Sequence, residues 1–315
     1  MLKHSNRLSD EDEVIDTGFS SNFTGSEQRL LDRNGNFNLK RTGISYLEGL
    51  HVYHRLITMS WTRFLMYVFL VYFIENLFFA FVYVLIGDAP LTGMAGKDFS
   101  YRFLDAFFFS AQTITTVGYG KIAPETYSAS LVAAFESILG LLGFALATGL
   151  VYGRFSRPVA KIFYSKNILY SPFKNINCFK FRLTNGRKNQ LIEVEARLVV
   201  SMTDKETGFK KFYVIDLEYP KINFLALSWT VVHPIDEHSP FHEMTKEEFE
   251  SRDPEFIVLI KAFDDAFSQT VHSRTSYKHY DVVWNANFEP MFNVTASGAI
   301  LELDKIDRFK LINKN

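Results

Sequence analysis

The stretch FLDAFFFSAQTITTVGYG, residues 103–120, joins an aromatic, helix-forming run to a short tract with glycine at alternate positions, Gly118 and Gly120. The apolar run Tyr101–Thr115 is 15 residues long, and at about 1.5 Å per residue it cannot cross a bilayer core of about 30 Å. It reads as a re-entrant helix that enters a membrane and turns back. Backbone that leaves the helix at that depth, as Thr116-Val117-Gly118-Tyr119-Gly120 must, survives only where it is buried in protein or lines a watery cavity.

The flanks supply the membrane. Upstream, Phe64–Ile86 (FLMYVFLVYFIENLFFAFVYVLI) runs 23 residues, roughly 35 Å as a helix, enough to span. Downstream, Ser128–Phe155 is a second span whose Gly140, Gly143, Gly149 and Gly153 allow close helix approach. Arg55 and Arg63 precede the first span, Arg154, Arg157, Lys161 and Lys166 follow the second, and few cations lie between. That bias predicts a multi-pass protein of the cell (inner or plasma) membrane with both termini cytoplasmic. Ahead of the first span, Tyr46–Met59 sets Tyr46, Leu50, Tyr53 and Ile57 against Glu48, His51, Arg55 and Thr58, the pattern of an amphipathic interfacial helix over 46–60.

Further out the periodicity changes. In Leu191–Thr203 the residues Ile192, Val194, Ala196, Leu198, Val200 and Met202 alternate with polar ones, as in a half-buried strand. Similar strands are predicted at 179–184, 211–219, 224–232, 255–262 and 281–285, with one short helix opened by the capping box Thr245/Glu248, so residues 157–315 read as a cytoplasmic β-sandwich domain. Residues 1–45 are polar, without apolar period, and are expected to be exposed or extended. The pore-forming region is then 61–156, with spans 64–86 and 128–155, re-entrant helix 101–115 and loop 116–120.

The whole-chain figures conceal this division. Over 315 residues, 47% hydrophobic and 22% charged is an ordinary globular composition, but 32 phenylalanines and 16% aromatics are about twice what a soluble domain needs. A net charge of −1 gives no support to nucleic-acid binding, and the single Cys178 excludes an intrachain disulfide. No Walker loop, GxGxxG or nucleophile motif argues for an enzyme or a bound cofactor.

The chemistry of the loop is that of a dehydrating cation. A K⁺ ion that sheds water must be met by a cage of oxygens, and extended loops from four subunits can supply rings of backbone carbonyls from Thr116, Val117, Gly118 and Tyr119. Gly118 and Gly120 permit the required backbone angles, Thr116 can add a hydroxyl ring, and Tyr119 is expected to point outward and brace against Phe107–Phe109. The helix ahead of the loop points its negative C-terminal end toward the cation path. One chain carries one loop, so a homotetramer is expected. The complete Thr-Val-Gly-Tyr-Gly disfavours both a nonselective pore and a membrane-anchored scaffold with a decayed one.

At this point the sequence resembles the inward-rectifier potassium channels, in particular their prokaryotic KirBac branch. The resemblance runs from about Arg29 to Phe292 and is carried by QRLLDRNGNFNL (28–39), LITMSWTRF (56–64), IGDAP (86–90), the 103–120 block, GLVYGRFSRPVAKIFYS (149–165), LSWTVVHPIDEHSP (227–240), FDDAFSQTVHSRTSY (263–277) and DVVW (281–284). It implies a two-transmembrane-helix potassium channel pore domain joined to a cytoplasmic immunoglobulin-like β-sandwich, with K⁺ as permeant ion, Ba²⁺ as blocker and LITMSWTRF as a slide helix. It places Tyr152 at a bundle-crossing gate and Gly140 at the second-helix glycine, which is either a flexing point or a packing contact. Phe144 stands where strongly rectifying members carry an acid, so weak polyamine block is implied. Arg154, Arg157 and Lys161 fall where the family couples anionic lipid headgroups to gating, and juxtamembrane cations gain about 1 kcal/mol each from an anionic leaflet.

Two carboxylates lie within the spans. Glu136 is expected behind the loop, bonding the re-entrant helix near Gln112 or Thr113; Glu75, beside Asn76, has no evident partner. The cluster His233, Asp236, Glu237, His238 and His242 has loop-like rather than metal-ligand spacing.

Overall fold

The computed structural model describes residues 29–38, 52–87, 90–96, 98–156, 160–296 and 298–312. These fall into two compact units, one holding 52–156 and the other joining 29–38 to 160–312.

The first unit is helical. It runs α1 (Val52–Thr58), α2 (Trp61–Ile86), β1 (Leu91–Thr92), α3 (Phe99–Ile114), β2 (Ala123–Pro124) and α4 (Tyr127–Phe155). Both α2 and α4 are long and apolar enough to cross a membrane, and most of their length is exposed in the single chain. The helix α2 starts at Trp61 rather than residue 64, because Ser60 in extended conformation ends α1 and the helix then propagates through the interfacial Trp61 and Arg63. The short helix α3 covers 99–114 rather than 101–115, bounded by extended Asp98 and by Thr115. At the head of α4, the Thr126 hydroxyl accepts the Ala129 N–H at 3.2 Å, the side-chain cap that fixes its first turn. Of the interfacial helix expected over 46–60, residues 46–51 lie outside the described residues and α1 holds 52–58. The antiparallel pair β1 and β2 (Leu91↔Pro124, Thr92↔Ala123) brackets α3 and its following loop. A core of Phe79, Ala80, Tyr83, Ala106, Phe109, Ile114 and Ala129 holds the three longer helices together.

The second unit is a sandwich. Its strands are β3 (Ile162–Tyr164), β4 (Ile168–Phe173), β5 (Ile176–Asn185), β6 (Leu191–Thr203), β7 (Lys210–Ile215), β8 (Lys221–Phe224), β9 (Ser228–Ile235), β10 (Glu255–Asp264), β11 (Gln269–Lys278), β12 (Val282–Trp284), β13 (Ala286–Phe288), β14 (Phe292–Thr295), β15 (Gly298–Leu301) and β16 (Phe309–Leu311), with α5 (Lys246–Ser251) before β10. One five-stranded sheet has the order β11-β10-β6-β7 with β8 also on β6; the other has β12-β4-β5-β3 with β9 also on β5. The register Ala196↔Ile260, Leu198↔Val258, Val200↔Phe256 puts alternate residues of β6 and β10 into one core, where they join Phe179, Phe181 and Leu183 of β5. Two local departures from the expected alternation have physical causes. Glu193 adopts φ +49°, so Leu191 rather than Ile192 is the fully buried residue at the start of β6. The expected strand 224–232 is two strands, because the chain leaves β6 at Phe224 and rejoins the other sheet on β5 from Ser228. The strand expected to 219 ends at Ile215.

Residues 29–38, expected to be exposed or extended, are exposed at 33, 34 and 36–38 but anchored to the sandwich at their start. Leu30 and Leu31 are buried against Phe212 and Ile257. The Glu255 carboxylate accepts the Leu30 N–H at 2.9 Å and the Leu31 N–H at 3.1 Å, and Arg29 and Arg33 both pair with Asp281.

Candidate functional site

The loop begins as an overwound helix end. Beyond Thr115, the Thr116 N–H donates to the Thr113 carbonyl at 3.1 Å, and the Val117 and Gly118 N–H groups both donate to the Gln112 carbonyl, at 2.9 and 3.3 Å. Gln112 and Thr113 thus hold the loop through their main chain. From there φ alternates in sign: Thr116 is at +59°, Gly118 at +50° and Gly120 at +79°, while Val117 and Tyr119 stay negative. In an ordinary strand successive carbonyls point to opposite sides; reversing the hand at every second residue turns them toward one side. Residues 115–121 are all exposed in the single chain. Tyr119 is also 80% exposed in the single chain, and among the described ring contacts Phe109 packs edge-on against Tyr83, and Phe107 against Phe73 and Phe108.

Behind the loop, α4 touches α3 at Gly140. A Cβ on Gly140 would lie 2.4 Å from the Ile114 carbonyl oxygen and 2.8 Å from its Cα, so this glycine is a packing contact with the end of the re-entrant helix. One helical turn earlier, Glu136 is fully buried. Its partner on α3 is Ser110 rather than Gln112 or Thr113, which lie further along the helix, the Thr113 hydroxyl donating instead to the Phe109 carbonyl at 2.8 Å. Tyr83 of α2 donates to the other Glu136 oxygen at 2.6 Å, and Asn76 meets Ser110 at 3.1 Å. Tyr83, Asn76 and Ser110 were hidden in the sequence: a polar atom inside an aromatic run carries no period of its own. Glu75 is half-buried, and none of the described hydrogen bonds reaches it.

Below Gly140, no position of α4 is buried in the isolated chain and most are exposed, Phe144 at 73% and Tyr152 at 74%. Arg154 turns inward instead of toward headgroups. Its guanidinium donates to the carbonyls of Leu56 and Met59, the latter at 2.6 Å, and lies 4.6 Å from the ring centres of both Trp61 and Phe64. It satisfies orphan carbonyls at the end of α1 and ties that helix to α2 and α4, which removes it from the set of free juxtamembrane cations. Arg157 lies outside the described residues. Lys161 is exposed, its Nζ 5.5 Å from the Phe163 ring.

The histidine loop holds no metal set; among the described residues no group of three or more His, Cys, Asp or Glu is placed to bind one. His233 is buried, its Nδ1–H donating to the Asp216 carbonyl at 2.6 Å and its Nε2 accepting from the Ser239 hydroxyl at 2.8 Å. Burial holds its pKa below the ordinary value of 6.5, against a smaller opposing effect of the Asp216 bond. The unfolded chain therefore binds a proton that the folded one refuses, and the stabilisation is complete above about pH 6.5 and lost as pH falls below it. Thermal unfolding of the sandwich is expected to shift down between about pH 7.5 and about pH 5.5, with a shallower dependence in His233→Gln. An unchanged slope in the variant would remove His233 as the cause.

Comparison with known proteins places both units. Residues 162–313 match the inward rectifier potassium channel C-terminal domain, and residues 65–157 match an ion channel family. The chain is 35% identical over 274 residues to the inward rectifier potassium channel Kirbac3.1 of Paramagnetospirillum magnetotacticum, an alignment covering 86% of this chain and 91% of that protein. It is 28% identical over 297 residues to the G protein-activated inward rectifier potassium channel 4 of Mus musculus, with 85% of this chain and 69% of that one covered.

Proposed function

Because the chain belongs to the inward rectifier potassium channel family and is a K⁺-conducting membrane protein rather than an enzyme, we propose that its pore is a homotetramer in which the carbonyls of Thr116, Val117, Gly118 and Tyr119 form stacked K⁺ sites around one axis. The observation that carries this is the alternation of φ at Thr116, Gly118 and Gly120, which turns the carbonyls of an exposed loop to one side. A single row of oxygens is a quarter of a cage, and four rows replace the hydration shell. The apolar, largely exposed run of α4 between Leu141 and Gly149 supports the same assembly, since in a tetramer it is covered by neighbouring helices and lipid.

Tyr152 forms the inner gate, where four phenol rings near one axis exclude hydrated K⁺. Phe144 brings no charge to the cavity, so block by cytoplasmic polyamines is weak. Arg157 and Lys161 bind anionic headgroups, and Arg154 acts internally by holding α1. Both termini are cytoplasmic, as the cation bias around α2 and α4 requires.

Purified protein in liposomes loaded with K⁺ is expected to take up ⁸⁶Rb⁺, to stop when Ba²⁺ is added, and to show no comparable exchange when loaded with Na⁺. Equal exchange with both ions would replace this reading with a nonselective pore. Micromolar spermine is expected to leave most of the flux intact; steep voltage-dependent block that survives neutralisation of cytoplasmic acids would overturn the assignment of Phe144.

A further inference from the structure

Four side chains behind the loop make three oxygen-to-oxygen contacts in a row. Asn76 Oδ1 lies 3.1 Å from Ser110 Oγ, Ser110 Oγ contacts Glu136 Oε1, and Glu136 Oε2 lies 2.6 Å from the Tyr83 hydroxyl. Each contact needs a proton between its oxygens, since facing lone pairs repel. The orientation of Asn76 is set by its other end: Nδ2 lies 2.6 Å from the Tyr72 carbonyl, an acceptor only, so the atom facing Ser110 is the amide oxygen. Ser110 and Tyr83 bring one hydroxyl proton each. Two protons cannot fill three contacts, and Glu136 is the remaining member able to carry the third.

We propose that Glu136 is a neutral carboxylic acid in the folded channel, donating to Ser110, which donates onward to Asn76, while Tyr83 donates to the opposite Glu136 oxygen. The surroundings agree. Asn76, Ser110 and Glu136 are each fully buried, and none of the described ion pairs sets a cation against Glu136. A charged carboxylate there would leave the Asn76 oxygen without a donor and a buried charge without a partner.

The consequence is a hydrogen-bond chain with one direction, Glu136 to Ser110 to Asn76 to the Tyr72 carbonyl, linking α4, α3 and α2. Ser110 sits two residues before Gln112, whose carbonyl holds Val117 and Gly118. Glu136 is therefore a positioning residue for the carbonyl row, acting through Ser110. This consequence rests on the filter reading above; the protonation itself is read without ion flux, so the two can fail separately.

The test is the infrared spectrum of the full-length channel in liposomes at neutral pH, unlabelled and with ¹³C-glutamate. Subtracting the Glu136→Gln spectrum isolates this carboxyl from Glu75 and the cytoplasmic acids. A carboxylic acid carbonyl band that moves with ¹³C and is missing from Glu136→Gln is the expected result. In Ser110→Ala the band is expected to persist at a shifted frequency, which keeps the test available should Glu136→Gln fail to assemble. Uptake of ⁸⁶Rb⁺ gives the functional arm: a glutamine amide can donate to Ser110 and accept from Tyr83, so Glu136→Gln retains flux where Glu136→Ala loses roughly tenfold. Carboxylate bands alone in the wild-type differences against either variant would overturn the proposal, and equal loss of flux in Glu136→Gln and Glu136→Ala would overturn the positioning role drawn from it.

Discussion

Gly118→Ala is expected to reduce ⁸⁶Rb⁺ uptake to the level of protein-free liposomes while leaving the assembled oligomer intact. Space is not the reason: nothing lies within 4 Å of a Cβ built on Gly118 in the single chain. The reason is the backbone, since φ +50° costs an L-residue roughly 1–2 kcal/mol, added to the strain the loop already carries at Thr116, whose φ is +59°. If four chains line the pore as proposed, that cost recurs in each and totals about 4–8 kcal/mol at one carbonyl ring. Relaxing φ relieves the strain and turns the carbonyls off the axis, so strain and conduction cannot both be satisfied. The fold of each subunit should survive because the helix contacts at Gly140, Phe109 and Tyr83 are untouched. Native-like uptake by an oligomeric Gly118→Ala channel would remove the alternating-φ row as the basis of conduction.

Gly140→Ala decides between two roles that the sequence left open, because they predict opposite signs. If Gly140 were only a flexing point, alanine would stabilise the helix by about 1 kcal/mol and lower channel opening, with selectivity unchanged. The structure sets a Cβ there against main-chain atoms of Ile114 at 2.4 and 2.8 Å, neither of which can swing aside as a side chain could. Overpacking of that kind costs typically 1–3 kcal/mol, outweighing the helix gain, and it displaces the turn that presents the Gln112 carbonyl to Val117 and Gly118. The variant is therefore expected to unfold at lower temperature and to admit Na⁺. A more stable, fully K⁺-selective Gly140→Ala channel would restore the flexing role.

How much of this could be read beforehand depended on whether the chemistry lay along the chain or across it. Two long apolar runs flanking a 15-residue one already specify a re-entrant loop, and the glycines at 118 and 120 specify its backbone. The strand β6 was legible because its partners cover one face only. The crossing at Leu225–Leu227 was not, since the hydrophobic run continues while the chain changes sheets. Arg154 looked like a headgroup ligand because its position beside a span is visible in sequence, whereas the carbonyls of Leu56 and Met59 that occupy it are nearly a hundred residues away. Asn76, Tyr83 and Ser110 escaped notice for the same reason: each is one polar group in an apolar helix, and only the packing of α2, α3 and α4 brings them to Glu136.

The clasp between Leu30 and Glu255 bears on how the protein is made. These residues are 225 apart, so a nascent chain elongating at about 5–20 residues per second exposes Leu30 and Leu31 for roughly 11–45 s before their carboxylate acceptor is synthesised. Both bilayer segments are translated within that interval. The sandwich is consequently the last part of the subunit to mature, closed by a strip of chain that left the ribosome before either span, and truncation before Glu255 strands that strip with its two leucines uncovered.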